Sequence, residues 1–127
     1  MFKIEKMNWH SKEALEAEVY ISDGMYEFLF FAHPFHGKQG QIINSEFGAL
    51  NSSNIYRIDS DKFRIEKLQD FFAYRIGGKV ICMKECIIQI GSFHIKLDDY
   101  LPGDLVEGEY ISFECDRLDL SFNTQNV

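Results

Sequence analysis

Cysteine, proline and long apolar runs are all scarce in this chain. Its 127 residues include three cysteines and two prolines. An odd number of cysteines does not make a closed disulfide framework, and the N-terminal segment MFKIEKMNWHSKEALEAE has no apolar core of the signal-peptide kind. The expectation is therefore a reducing, cytoplasmic address, with Cys82, Cys86 and Cys115 acting as small buried hydrophobes. No stretch approaches the roughly 18 apolar residues of a membrane-spanning helix, so no membrane partner is expected. Positive charge is short as well: 13 Lys plus Arg against 20 Asp plus Glu give a formal charge of −7. That balance argues against gripping duplex nucleic acid or anionic lipid by bulk electrostatics.

Chemical signatures are missing too. No ligand pairs stand at zinc-finger spacing, and there is no nucleophile elbow, phosphate-cradling glycine loop or dinucleotide fingerprint. His33 and His36 flank a loop after an aromatic stretch and, with Cys82, Cys86 or His94, are the residues from which a tetrahedral metal site would be drawn. Pro34 beside His33 is equally explained by strand termination. Cys82 or Cys86 with His94 would be the pair for covalent catalysis. The adjacent carboxylates Asp98 and Asp99 open a Pro-Gly loop and read as turn formers. The sequence predicts no catalytic residue, no metal and no cofactor.

What is present is unevenly distributed charge. Residues 1–56 carry −3, residues 57–96 carry +3, and residues 97–127 carry −7. The plainer explanation is oppositely charged faces that attract one another within the fold; the sharper one is two functional surfaces.

The dominant local pattern is β. Glu16 to Ser22 alternates, with Ala17, Val19 and Ile21 on one face, and Asp23-Gly24 separates it from the aromatic run Met25 to His33. This predicts a hairpin with a two-residue type I′ loop. A second hairpin is predicted from Phe71 to Ile76 and Lys79 to Met83, turning at Gly77-Gly78. Cys86 to Ile90 and Phe93 to Leu97 flank a turn or bulge at Gly91-Ser92, and Glu109 to Cys115 alternates as a closing strand. Weaker signals are an edge strand in residues 2–9, a helical turn at Ser11 to Leu15, and short strands at Gln41 to Ile43, Ile55 to Ile58 and Phe63 to Leu68. Asp61 to Phe72 also fits a short helix, and most of residues 34–53 shows no regular pattern. The sum is an all-β single domain over residues 1–127, with 123–127 as a frayed tail and at most one or two short helical segments.

The segment Leu101-Pro102-Gly103-Asp104 leading to Gly108-Glu109-Tyr110-Ile111-Ser112-Phe113 places a glycine before an alternating aromatic strand. With the order of paired strands around a variable middle, this resembles an OB-fold or related small antiparallel barrel. The resemblance implies binding of oligonucleotides, oligosaccharides or proteins across one barrel face.

Two candidate surfaces follow. Tyr74, Arg75, Lys79, Lys84 and Phe93 mark a basic-aromatic face on which single-stranded nucleic acid would stack and run. In Phe28-Leu29-Phe30-Phe31 both strand faces are apolar, so Phe28 and Phe30 mark either an internally covered strand or a homodimer interface. The expected function is non-catalytic binding, with another protein as partner. The alternatives are a single-stranded nucleic-acid binder and an acidic protein of the bacterial inhibitor or immunity type, opposing a basic partner.

Overall fold

The computed structural model describes residues 1–121, and the predicted tail lies outside the described residues. Twelve strands form one mixed sheet: β1 (Phe2–Ser11), β2 (Glu16–Ser22), β3 (Glu27–Ala32), β4 (Ile42–Ile43), β5 (Glu46–Leu50), β6 (Ser53–Arg57), β7 (Arg64–Lys67), β8 (Tyr74–Cys82), β9 (Ile87–Ile90), β10 (Phe93–Leu97), β11 (Tyr110–Cys115) and β12 (Arg117–Ser121). The protein is all-β, with no helix among the described residues. Among the described residues no helix is long and apolar enough to cross a membrane.

The strand order is β4-β1-β2-β3-β12-β5-β10-β9-β8-β11-β6, with β7 paired to β8 off this path. Most pairs are antiparallel, but β12 runs parallel to β3 and β10 runs parallel to β5. The expected wholly antiparallel sheet is thus corrected by these two pairs, each between strands far apart in sequence. Nor is the sheet closed. Beyond the β3–β12 ladder the N–H of Leu29 donates to the Tyr74 hydroxyl at 2.8 Å, a side chain in place of a strand.

The alternation seen in sequence sets the core. Ala17, Val19 and Ile21 of β2 are fully buried, as are Ile88, Ile90, Phe93 and Ile95 of β9 and β10. Phe28 and Phe30 are completely buried and stack against Phe93 at centroid distances of 4.9 and 6.0 Å. Phe47 joins Phe30 and Phe93, and Phe2 reaches both Phe47 and Phe93. One aromatic cluster therefore ties β1, β3, β5 and β10 together.

Four local expectations change. The β2–β3 hairpin forms, with Ser22 opposite Glu27, but its loop spans residues 23–26. Asp23 accepts the N–H groups of Met25 and Tyr26, and Gly24 takes the positive φ of 99°. Gly77 and Gly78 lie inside β8 rather than at a turn. A Cβ on Gly78 would sit 2.5 Å from Ile88 Cγ2 and 2.8 Å from the Gln89 carbonyl oxygen, so glycine here lets two strands pack closely. Ser11 does accept the Ala14 N–H, but Leu15 at φ 58° turns the chain back into β2 and no helix begins. The helical alternative for residues 61–72 gives way to the strand reading: they supply β7 and a tight turn, because β8 offers Tyr74 to Gly77 as a pairing edge.

β8 is a branch point. Its first half pairs with β7 and its second half with β9, while β11 occupies the opposite edge. Only Asp116 separates β11 from β12, so the chain passes directly from one arm of the sheet to the other.

Candidate binding groove

In β5, Phe47 and Ala49 point into the core, which turns Glu46, Gly48 and Leu50 outward. The same parity turns His94 and Lys96 of β10 outward, and likewise Arg117 and Asp119 of β12. Register then assembles one row across five strands: Phe31 faces Asp119, Asp119 faces Gly48, Gly48 faces Lys96, and Lys96 faces Ile87. Two residues along, Glu46 pairs with Ser121, and His94 lines the same groove. This outer face carries an open groove of about 950 Å³.

Gly48 forms its floor. A Cβ there would meet only the Lys96 carbonyl oxygen, at 3.7 Å, so glycine keeps the floor low without any close approach demanding it. The side chains beside it are charged and largely engaged. Arg117 pairs with Asp119 at 2.6 Å and lays its guanidinium 4.4 Å from the Phe31 ring centre. Lys96 reaches Glu85 at 3.3 Å. Burial pushes the Asp98 carboxyl up, but the N–H groups of Ser52 and Asn51 outweigh it and hold the group below the usual carboxylate range.

At the Phe31 end an aromatic ledge rises. Phe72 packs on Phe31 and on His10, and Phe71 meets Phe72 edge-on at 4.9 Å. The turn that carries both rings is braced: Lys67 Nζ donates to the carbonyls of Leu68, Asp70 and Ala73, and the Leu68 N–H bonds the Ala73 carbonyl. Phe71 nonetheless remains 53% exposed.

The predicted basic-aromatic face is divided by strand parity. Tyr74 is buried, with its ring against Phe28 and its hydroxyl on Leu29, and burial pushes its pKa up. Phe93 is fully buried in the core. Arg75 and Lys79 point the other way, and Lys84 is exposed in the turn after β8. Arg75 is held between Glu66 at 2.6 Å and Glu114 at 3.3 Å. The five residues do not share a surface. Phe28 and Phe30 do not offer one either, because the chain covers both itself.

Of the groove residues, Gly48, Arg117 and Asp119 belong to no predicted site, and His94 was considered only for metal or thiol chemistry. Alternation in Glu46–Leu50 and Arg117–Ser121 carries the signal, but nothing local shows that β12 enters between β3 and β5. Among the described residues no group of three or more His, Cys, Asp or Glu side chains is placed to hold a metal ion. Compared with protein-family models, curated proteins and solved structures, the chain matches none.

Proposed function

We propose that the chain is a non-catalytic binding module whose partner is another protein, seated in the groove over β5, β10 and β12. The observation carrying this reading is the groove, about 950 Å³ of open concavity floored by Gly48. Its size falls in the range of ligand sites. Its floor of charged pairs and its openness suit a surface segment of a macromolecule better than an enclosed small molecule. The OB-like reading enters here as well: the sheet curls around one aromatic core, and Leu101 to Phe113 provides a Pro-Gly loop leading into β11. A cytoplasmic setting agrees with three free cysteines.

Protein is favoured over single-stranded nucleic acid because half of the eight cations of residues 57–96 are committed, and the buried rings of Tyr74 and Phe93 offer no stacking surface beside the others. Arg57 pairs with Asp104 and Glu109, Arg75 with Glu66 and Glu114, Lys96 with Glu85, and Lys67 with backbone carbonyls. The acidic final quarter is engaged too: Asp98 and Glu107 accept backbone N–H groups, and Asp116 accepts the Asn51 side-chain amide. An inhibitor-type reading therefore shifts from that quarter to the groove.

The test is photocrosslinking in cells, with p-benzoylphenylalanine at Glu46 on the groove and at Tyr56 on the opposite arm. Discrete protein adducts from position 46, lost on adding Gly48→Trp, are expected. Equal adducts from both positions would sink the groove assignment. Steeply salt-dependent binding of labelled oligo-dT or oligo-U would replace the protein with nucleic acid.

A further inference from the structure

We infer that the segment seated in this groove is cationic and bears arginine, taken up between the groove carboxylates and the Phe71–Phe72 ledge. The inference rests on the binding-module reading and names its partner chemistry.

Charge is the first argument. Four carboxylates line the groove (Glu46, Glu85, Asp98 and Asp119) against one lysine and one arginine, a balance of −2 with the histidines neutral. Glu85 and Asp119 have cationic partners and Asp98 is saturated by backbone N–H groups. Glu46 is exposed and has no cationic partner among the described residues. A bound cation would meet its carboxylate without first breaking an internal pair.

Arg117 supplies the second argument. Its guanidinium lies flat enough on Phe31 to come within 4.4 Å of the ring centre while Asp119 holds its Nε at 2.6 Å. The groove wall thus already contains one aromatic-guanidinium-carboxylate cluster. Phe72 meets the same Phe31 ring edge-on, and Phe71 continues the aromatic surface outward. An incoming arginine would extend that series by one member, stacking its planar group on Phe71 as an ammonium cannot.

The third argument is preorganisation. An exposed phenylalanine on a mobile turn would lose entropy on every contact it made. Here Lys67 fastens three carbonyls of the turn, so that ordering is already done before a partner arrives.

The experiment uses fluorescein-labelled nonapeptides of one composition, three positions being arginine, lysine, citrulline or glutamate, with anisotropy read at low salt on the full chain. The arginine peptide should bind about threefold tighter than lysine and about tenfold tighter than citrulline. Phe71→Ser and Glu46→Gln should each weaken it about fivefold. Tyr56→Ser, at a ring equally exposed on the other arm, should leave it unchanged. Arginine and citrulline binding alike, or Phe71→Ser and Tyr56→Ser acting alike, would overturn the proposal. So would a dimer in light scattering that Glu46→Lys disperses, since a second copy would then hold the groove. Crosslinks from position 46 without an arginine preference would remove the cationic partner and leave the module reading intact.

Discussion

Two arms of the sheet present the same motif, a glycine in the middle of an outward row of polar side chains, and they put it to opposite use. On one arm Gly48 lies between Asp119 and Lys96. On the other Gly77 lies between Arg64 and Ser112. Around Gly77 the neighbours close in: a Cβ there would meet Arg64 Cβ at 3.3 Å and Ile58 Cδ1 at 3.5 Å, and the hollow left is about 80 Å³. The next row is a continuous ladder in which Glu66, Arg75, Glu114 and Asn54 bind one another. Around Gly48 nothing closes in. A missing side chain becomes a site only where the rest of the molecule leaves its space unfilled, and the ladder shows what a filled face looks like.

The largest expected effect breaks this comparison directly. Gly77→Leu should cost about 3 kcal/mol or more by overpacking, whereas Gly48→Leu should stay within about 1 kcal/mol, both read by urea denaturation. Equal costs would mean the two faces are equally packed.

A second test concerns the joint between the arms. Cys115 ends β11 just before β12, and burial raises its thiol pKa to about 12. The folded state then holds a proton that the unfolded chain releases near pH 9, so stability is intact below that pH and falls as pH rises toward 12. The slope should approach about 1.4 kcal/mol per pH unit, and Cys115→Ala should remove that share while the same-signed contribution of Tyr74 remains. Both arms should lose structure together; a probe near Gly77 that departs before one near Gly48 would mean the arms unfold separately.

Asp98 ties down the corner after β5 through the N–H groups of Asn51 and Ser52. Asp98→Asn should cost about 1 kcal/mol at neutral pH. Because the carboxyl pKa is depressed on folding, the native contribution should be complete above about pH 4 and vanish as pH falls through the folded value. The smallest effect belongs to the ladder: Arg75→Gln should cost at most about 1 kcal/mol, shrinking in high salt, because Arg75 and its partners are partly solvated.

Much of the fold was legible because it is local. Ala17-Val19-Ile21, the Asp23-Gly24 break and the Gly91 turn between β9 and β10 report on neighbours a few residues away, and those hairpins form. The Gly77-Gly78 pair misled for an instructive reason. Glycine at a turn and glycine under a close strand crossing are spelled identically, and only Ile88 and Gln89, on the next strand, tell them apart. The basic-aromatic face failed on parity, since Tyr74 and Arg75 are adjacent and face opposite ways. The groove was beyond reach for a different cause: it exists only where β12 lies parallel to β3 and β10 lies parallel to β5, pairings between strands about 90 and 50 residues apart.

The placement of β12 has a consequence for how the protein is made. The last strand described sits inside the sheet order, joining the β4-β1-β2-β3 block to the block that begins at β5. On the ribosome, the first block can pair its hairpins early, but no strand ladder joins it to the rest until residues 117–121 have emerged. Leu118 and Leu120, both buried, would complete the core only at that point. A nascent chain halted before Arg117 would expose the unpaired flanks of β3 and β5, the kind of edge that recruits other strands. Synthesis and folding are thereby coupled: the keystone of the sheet arrives after every strand it joins, and chains that stop short of it should be sorted out as aggregation-prone rather than released as partly working modules.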